Sequence, residues 1–147
     1  MSQQQEIKSL TSILSKINGS YQRWTADANL NYYLLQTLYA LYVDNNITQK
    51  QISDGYKMPK QTVNNTIRFL KEHKYINLIA QNNDKREKRI ELTQSGTEYM
   101  RTTLASILDL DMRIQQRMGK KQYQQLIQCL QCYADALQYE ITRKDIK

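Results

Sequence analysis

The sequence predicts a mostly α-helical protein with one small β-hairpin. Three observations point there. Apolar residues recur at steps of three and four along most of the chain. Only four Gly and one Pro interrupt 147 residues, so long helices form easily and a turn-rich sheet fold is disfavoured. One stretch, from Ile76 to Leu92, instead alternates apolar and polar residues as a strand does. The length suits a single domain with one core.

The first helix carries Ile7, Leu10, Ile13, Leu14 and Ile17 on one face, and Asn18-Gly19-Ser20 reads as its stop. A second runs from about Asn31 to Val43. It is apolar nearly all round through Tyr32, Tyr33, Leu34, Leu35, Leu38, Tyr39, Leu41 and Tyr42, which places it in the middle of the domain. Thr48 and Gln51 have capping-box spacing, so a short helix starts near Thr48 and ends around Asp54-Gly55. Pro59 falls in the first turn of the next helix, where its missing amide proton has no partner to lose. That helix turns Val63, Ile67 and Leu70 inward and leaves a polar face of Lys60, Gln61, Thr62, Asn64, Asn65, Arg68 and Lys71.

Ile76, Leu78 and Ala80 then face one way, a polar loop spans Asn82 to Glu87, and Ile90 and Leu92 return at strand spacing. Thr93 opens a long helix with Met100, Leu104, Ile107, Leu108 and Met112, reaching about Met118. Gly119 separates it from a last helix striped by Tyr123, Leu126, Ile127, Leu130, Tyr133, Leu137 and Ile141.

The formal charge is +7, and nearly all of the excess lies between Lys57 and Arg89, which hold nine basic and three acidic residues. A basic segment of this kind suits either a polyanion or a solvated helix face. The chain starts without a basic cluster and apolar core of a signal peptide, and no apolar run approaches the roughly 20 residues that span a bilayer. The expectation is a soluble, cytoplasmic protein. Cys129 and Cys132 make no disulfide framework. One turn apart on a helix, they serve as structural residues or as a thiol pair. The single His, His73, sits at the end of a helix and leaves no metal-ligand set. There is no Gly-rich phosphate loop, no Ser or Cys beside a His, and therefore no catalytic case. No cofactor, metal or enzyme activity is expected.

A short helix, a tight turn, a second helix with a polar face and a basic-tipped hairpin occur here in the order of a winged helix-turn-helix. The second helix has the girth to enter the major groove of double-stranded DNA. Gln61, Asn64, Asn65 and Arg68 are candidates for base edges, Thr62 for a base or a phosphate, and Lys57, Lys60 and Lys71 for phosphate. Lys85, Arg86 and Lys88 add charge on the hairpin.

Asp84-Lys85-Arg86, five further residues and Leu92-Thr93-x-x-Gly96 resemble the Asp-x-Arg and Leu-Thr-x-x-Gly pattern of the MarR (multiple-antibiotic-resistance regulator) family, with every spacing intact. The resemblance implies that Asp84 braces the wing and that Arg86 enters the minor groove, where weak hydration favours a guanidinium. It also implies a single MarR-type domain, with a winged unit over about 47–93 and dimerisation helices over about 5–18 and 94–143. Their interface would use Ile7, Leu10, Leu14, Ile17, Leu126, Leu130, Tyr133, Leu137 and Ile141. The homodimer would read a palindromic operator, as a repressor relieved by a small effector. Tyr21, Trp24, Tyr32, Tyr33 and Tyr39 would line an effector cleft or serve as plain core. The family's peroxide sensors carry an N-terminal Cys, and its zinc sensors several His; this chain has neither. The competing reading is a winged-helix module that binds RNA or a protein without promoter specificity.

Overall fold

The computed structural model describes residues 2–81 and 84–144, with the side chains of residues 81, 84–87 and 144 left aside. The elements are α1 (Gln3–Asp27), α2 (Tyr32–Val43), α3 (Gln49–Gly55), α4 (Lys60–Glu72), β1 (Ile76–Gln81), β2 (Asp84–Leu92), α5 (Gln94–Met118) and α6 (Lys120–Lys144). Mostly helical with a single antiparallel hairpin, the chain has the architecture the apolar spacing predicts. It divides into two compact units, residues 1–104 and 105–147.

In the first unit the core is built from Leu38 and Leu41 of α2, Ile52 of α3, Val63 and Leu70 of α4, Ile90 of β2 and Leu104 of α5, all essentially inaccessible to solvent. The inward positions of α4 are spaced by four and three, so each turn adds one apolar side chain to the same face. Helix α2 is less central than its composition suggests. Leu35, Leu38, Ala40 and Leu41 are buried, but Tyr33 in the first turn and Tyr42 and Val43 in the last are exposed.

Two expected boundaries differ. Helix α1 does not stop at Asn18-Gly19-Ser20 but continues to Asp27. A mid-helix Gly costs only about 1 kcal/mol relative to Ala, too little to break a long capped helix. The stop comes at Asn29, in the left-handed region at φ 53°, where Leu30 N–H donates to Thr25 O at 2.8 Å. In the hairpin, the loop expected over Asn82 to Glu87 is strand from Asp84 onward; Asn82 and Asn83 lie outside the described residues. Pairing runs regularly from Ile76↔Leu92 to Ala80↔Lys88, then shifts, and Gln81 pairs with Asp84. A run of charged residues reads as a loop when one face of a strand is assumed buried, yet antiparallel pairing joins backbone groups and does not itself require burial. The segment before α3 also joins this sheet: Ile90 N–H donates to Ile47 O at 3.0 Å, and Thr48 bridges Arg89.

The hairpin is fastened to α5 by one close joint. Thr93 N–H donates to Tyr75 O at 3.0 Å. Thr93 Oγ1 donates to Lys74 O at 2.8 Å and accepts the Gly96 amide at 3.0 Å. The Thr hydroxyl thus caps α5 and ties it to the end of α4 at the same time. A Cβ on Gly96 would overlap the Tyr75 carbonyl oxygen and come within 2.7 Å of its carbon, so only Gly allows the approach. Around the joint, Tyr75 stacks on Tyr99 with ring centroids 4.2 Å apart, and His73 packs on Phe69 at 4.2 Å.

In the second unit, Gly119 at φ 82° separates α5 from α6; its amide still bonds to Gln115 O at 2.9 Å. No described side chain of α6 is buried.

Gly96→Ala should destabilise the protein by about 2–3 kcal/mol, since backbone and not a flexible side chain must give way. Urea denaturation checks this; an unchanged midpoint would contradict the close approach.

Candidate nucleic-acid interface

Helix α3 begins with a complete capping box. Gln51 N–H donates to Thr48 Oγ1 at 3.2 Å, and Thr48 N–H donates to Gln51 Oε1 at 2.8 Å. Its end is equally specified. Met58 N–H donates to Ser53 O at 3.0 Å, while the buried Ser53 hydroxyl donates back to Met58 O at 2.7 Å. This closure requires a left-handed residue between them, and Lys57 takes it at φ 52°. A side chain there costs on the order of 1 kcal/mol where Gly would cost far less. Burial, and secondarily the Asp44 carboxylate, pushes the adjacent Tyr56 phenol above its usual range, so this turn holds no phenolate at neutral pH.

Pro59 is the N-cap of α4 rather than a member of its first turn, and it offers no side-chain cap. With its φ fixed at −57°, Pro directs the chain into the helix, leaving the amides of the first turn uncapped. Beyond it α4 exposes Lys60, Gln61, Asn64, Asn65, Arg68 and Lys71, with Thr62 half-buried at the edge. The amides on this face are linked. Gln61 Nε2 donates to Asn65 Oδ1 at 3.1 Å, and Arg68 Nη2 donates to the same oxygen at 3.1 Å. Asn64 Oδ1 accepts from Gln49 Nε2 of α3 at 2.9 Å. Gln49 is the residue that sequence spacing did not single out, because it lies on another helix. Among the described residues none of Lys57, Lys60, Arg68, Lys71 or Lys88 is paired with a carboxylate.

Lys88 is exposed on β2. The side chains of Asp84, Lys85 and Arg86 lie outside the described residues. A cavity of about 480 Å³ opens between the end of α2, β2 and the start of α5, lined by Tyr42, Asn45, Asn46, Arg89, Glu91 and Met100 among others. Tyr21, Trp24, Tyr32, Tyr33 and Tyr39 do not line it. Tyr21, Trp24, Tyr32 and Tyr39 are half-buried on α1 and α2, and Tyr33 is exposed; Tyr32 stands edge-on to Tyr33 at 5.7 Å. His73 caps α4, with Nδ1 2.8 Å from Phe69 O, and a carbonyl partner requires the proton on Nδ1. Cys129 and Cys132 are exposed free thiols. Among the described residues no group of three or more His, Cys, Asp or Glu could hold a metal ion, and no helix is long and apolar enough to cross a membrane.

Two helices carry apolar stripes turned to solvent. On α1, Ile7, Leu10 and Ile17 are exposed and Leu14 is half-buried. On α6, Leu126, Leu130, Tyr133, Leu137 and Ile141 are all exposed.

This arrangement of helices and hairpin matches known structures over nearly its full length. A MarR family regulator from Neisseria meningitidis superposes with a TM-score of 0.81 at 24% identity, over 95% of this chain and 98% of that one. The chain has the MarR-family fold. MepR of S. aureus, in its complex with DNA, gives a TM-score of 0.65 at 20% identity over 88% of this chain and 96% of that chain. S. aureus MarR in complex with salicylate and kanamycin gives 0.68 at 21%, over 93% of each. No protein-family model matches the sequence, and neither does any curated protein. In this MarR fold α3 and α4 are the helix-turn-helix and β1–β2 the wing. The Leu92-Thr93-x-x-Gly96 pattern acquires a physical reason: Thr caps and ties, and Gly admits the Tyr75 carbonyl.

Lys57→Gly should raise stability by about 1 kcal/mol by relieving the left-handed side chain. A thermal melt showing no gain, or a loss, would mean the turn is not held as described.

Proposed function

We propose that this chain is a transcriptional regulator of the MarR type, binding double-stranded DNA sequence-specifically as a homodimer and acting as a repressor relieved by a small ligand. The observation that carries the reading is the outer face of α4, where amides and unpaired cations stand together beside a basic hairpin. Such a face matches the groove edges and phosphates of a duplex. The uncapped first turn of α4 adds free amide donors suited to a phosphate. Lys57, Lys60, Lys71, Lys85 and Lys88 supply phosphate contacts, and Gln61, Thr62, Asn64, Asn65 and Arg68 face the bases. Arg86 enters the minor groove with Asp84 bracing the wing. The solvent-facing stripes of α1 and α6 supply the dimer interface, since contiguous apolar surface on a monomer invites association. A two-fold dimer reads two half-sites about one helical turn apart. The relief step draws on the salicylate complex of S. aureus MarR, with Tyr21, Trp24, Tyr32, Tyr33 and Tyr39 as the proposed ligand contacts.

Repeated selection from random duplex DNA at two salt concentrations tests this reading. Enrichment of a palindrome supports it, and sequence-blind binding that vanishes with salt overturns it. Arg86→Ala should weaken binding to the enriched site by a few kcal/mol at most with the melting temperature unchanged; parental affinity on every DNA would refute the wing assignment. Lys57→Gly should reduce the slope of log affinity against log salt by about 2, since each dimer loses two phosphate contacts. Leu130→Asp should shift the protein from dimer to monomer in sedimentation, and a persistent dimer would remove α6 from the interface.

A further inference from the structure

The Gln61, Asn65 and Arg68 side chains lie on one stripe of α4, at steps of four and three, and their hydrogen bonds determine which way each amide points. Arg68 has donors only. The Asn65 atom it meets at 3.1 Å is therefore the carbonyl oxygen. The Gln61 atom meeting that same oxygen at 3.1 Å is in turn the NH2 nitrogen. Orientation is thus fixed by chemistry from the guanidinium outward. A carbonyl oxygen has two lone pairs, and both of those on Asn65 are engaged within the helix face. What Asn65 has left is its NH2 group, a pure donor.

Asn pairs with adenine by accepting from the N6 amino group through its oxygen while donating to N7. Asn65 has no lone pair free for the first of these bonds. Guanine offers N7 and O6 as neighbouring acceptors and requires no acceptor from the protein. Resting on the DNA-binding reading above, we infer that Asn65 is a specificity-determining residue that selects guanine rather than adenine, because Gln61 and Arg68 hold it as a donor. Gln61 and Arg68 are positioning residues for this contact. The unspent donors of Arg68 reinforce the same choice at the neighbouring base, and the free oxygen of Gln61 is left to accept from a base amino group.

The test is duplex selection with the full-length parent, Asn65→Ala and Gln61→Leu, each checked by thermal melting. All three side chains are exposed, so folding should be unaffected. The half-site position that loses its preference in Asn65→Ala is the one Asn65 reads. At that position the parent should take guanine over adenine by about tenfold. Gln61→Leu frees one lone pair and should raise adenine at that same position while Arg68 keeps its own. Adenine at that position in the parent, no position that flattens in Asn65→Ala, or a Gln61→Leu preference identical to the parent's overturns the assignment while leaving sequence-specific binding intact. Absence of any enriched sequence for the parent overturns the DNA reading itself, and this assignment with it.

Discussion

The contact between the Tyr75 backbone and the first turn of α5 holds three elements in one geometry. The end of α4, the start of β1 and the N-terminus of α5 meet here, and each also sends apolar side chains into the core, among them Leu70, Ile76 and Met100. Their alignment comes from short hydrogen bonds of Thr93 to Lys74 and Tyr75 and from the absence of a side chain at Gly96. Hydrogen bonds of this kind contribute about 1 kcal/mol each, which is modest. Their geometric effect is larger, because two of them run from one residue to adjacent carbonyls and so constrain the orientation of the joint. The stacked rings of Tyr75 and Tyr99 lie beside this joint, and the Gly96 amide that bonds to Thr93 is part-buried.

Positive-φ side chains recur where helices of the first unit end. Asn29, Lys57 and Lys74 each take the left-handed position after a helix, and each is followed by an amide reaching back to the carbonyl five residues earlier. Asn is suited to that conformation, whereas Lys is not. Two lysines thus bracket α4 at conformational expense, in a chain whose excess charge is concentrated in the same segment. Lys57 is fixed by the Ser53–Met58 closure and Lys74 by the Thr93 tie. The backbone closures around α4 thus fix where these two side chains leave the chain.

Most of the fold was legible because its helices are amphipathic and its caps conventional. Thr48 and Gln51 announced α3, and the switch to alternation after Lys74 announced the hairpin. The misread ends have a common cause: local signals are worth about 1 kcal/mol, and longer-range terms exceed them. Gly19 could not end α1 against the continuing helix, and a charged residue at 84 did not prevent backbone pairing with Gln81 of β1. The polar face of α4 was legible as a set of residues. Its internal order was not, because which amide oxygen is occupied depends on rotamers and on Gln49, a residue of another helix. Gly96 was legible only as part of a pattern; its reason, the Tyr75 carbonyl beneath it, is a contact across 21 residues that no local rule contains.

If the joint is what unites α4, the hairpin and α5, its amides must be as protected as the core. Native-state hydrogen exchange of the Tyr75, Thr93 and Gly96 amides, compared with those of Leu70 and Ile90, measures this directly. The joint amides should exchange only through global unfolding, with opening free energies equal to those of Leu70 and Ile90. Exchange of Thr93 and Gly96 through a local opening, while Leu70 and Ile90 stay protected, would show that the wing and α5 are held together by something else.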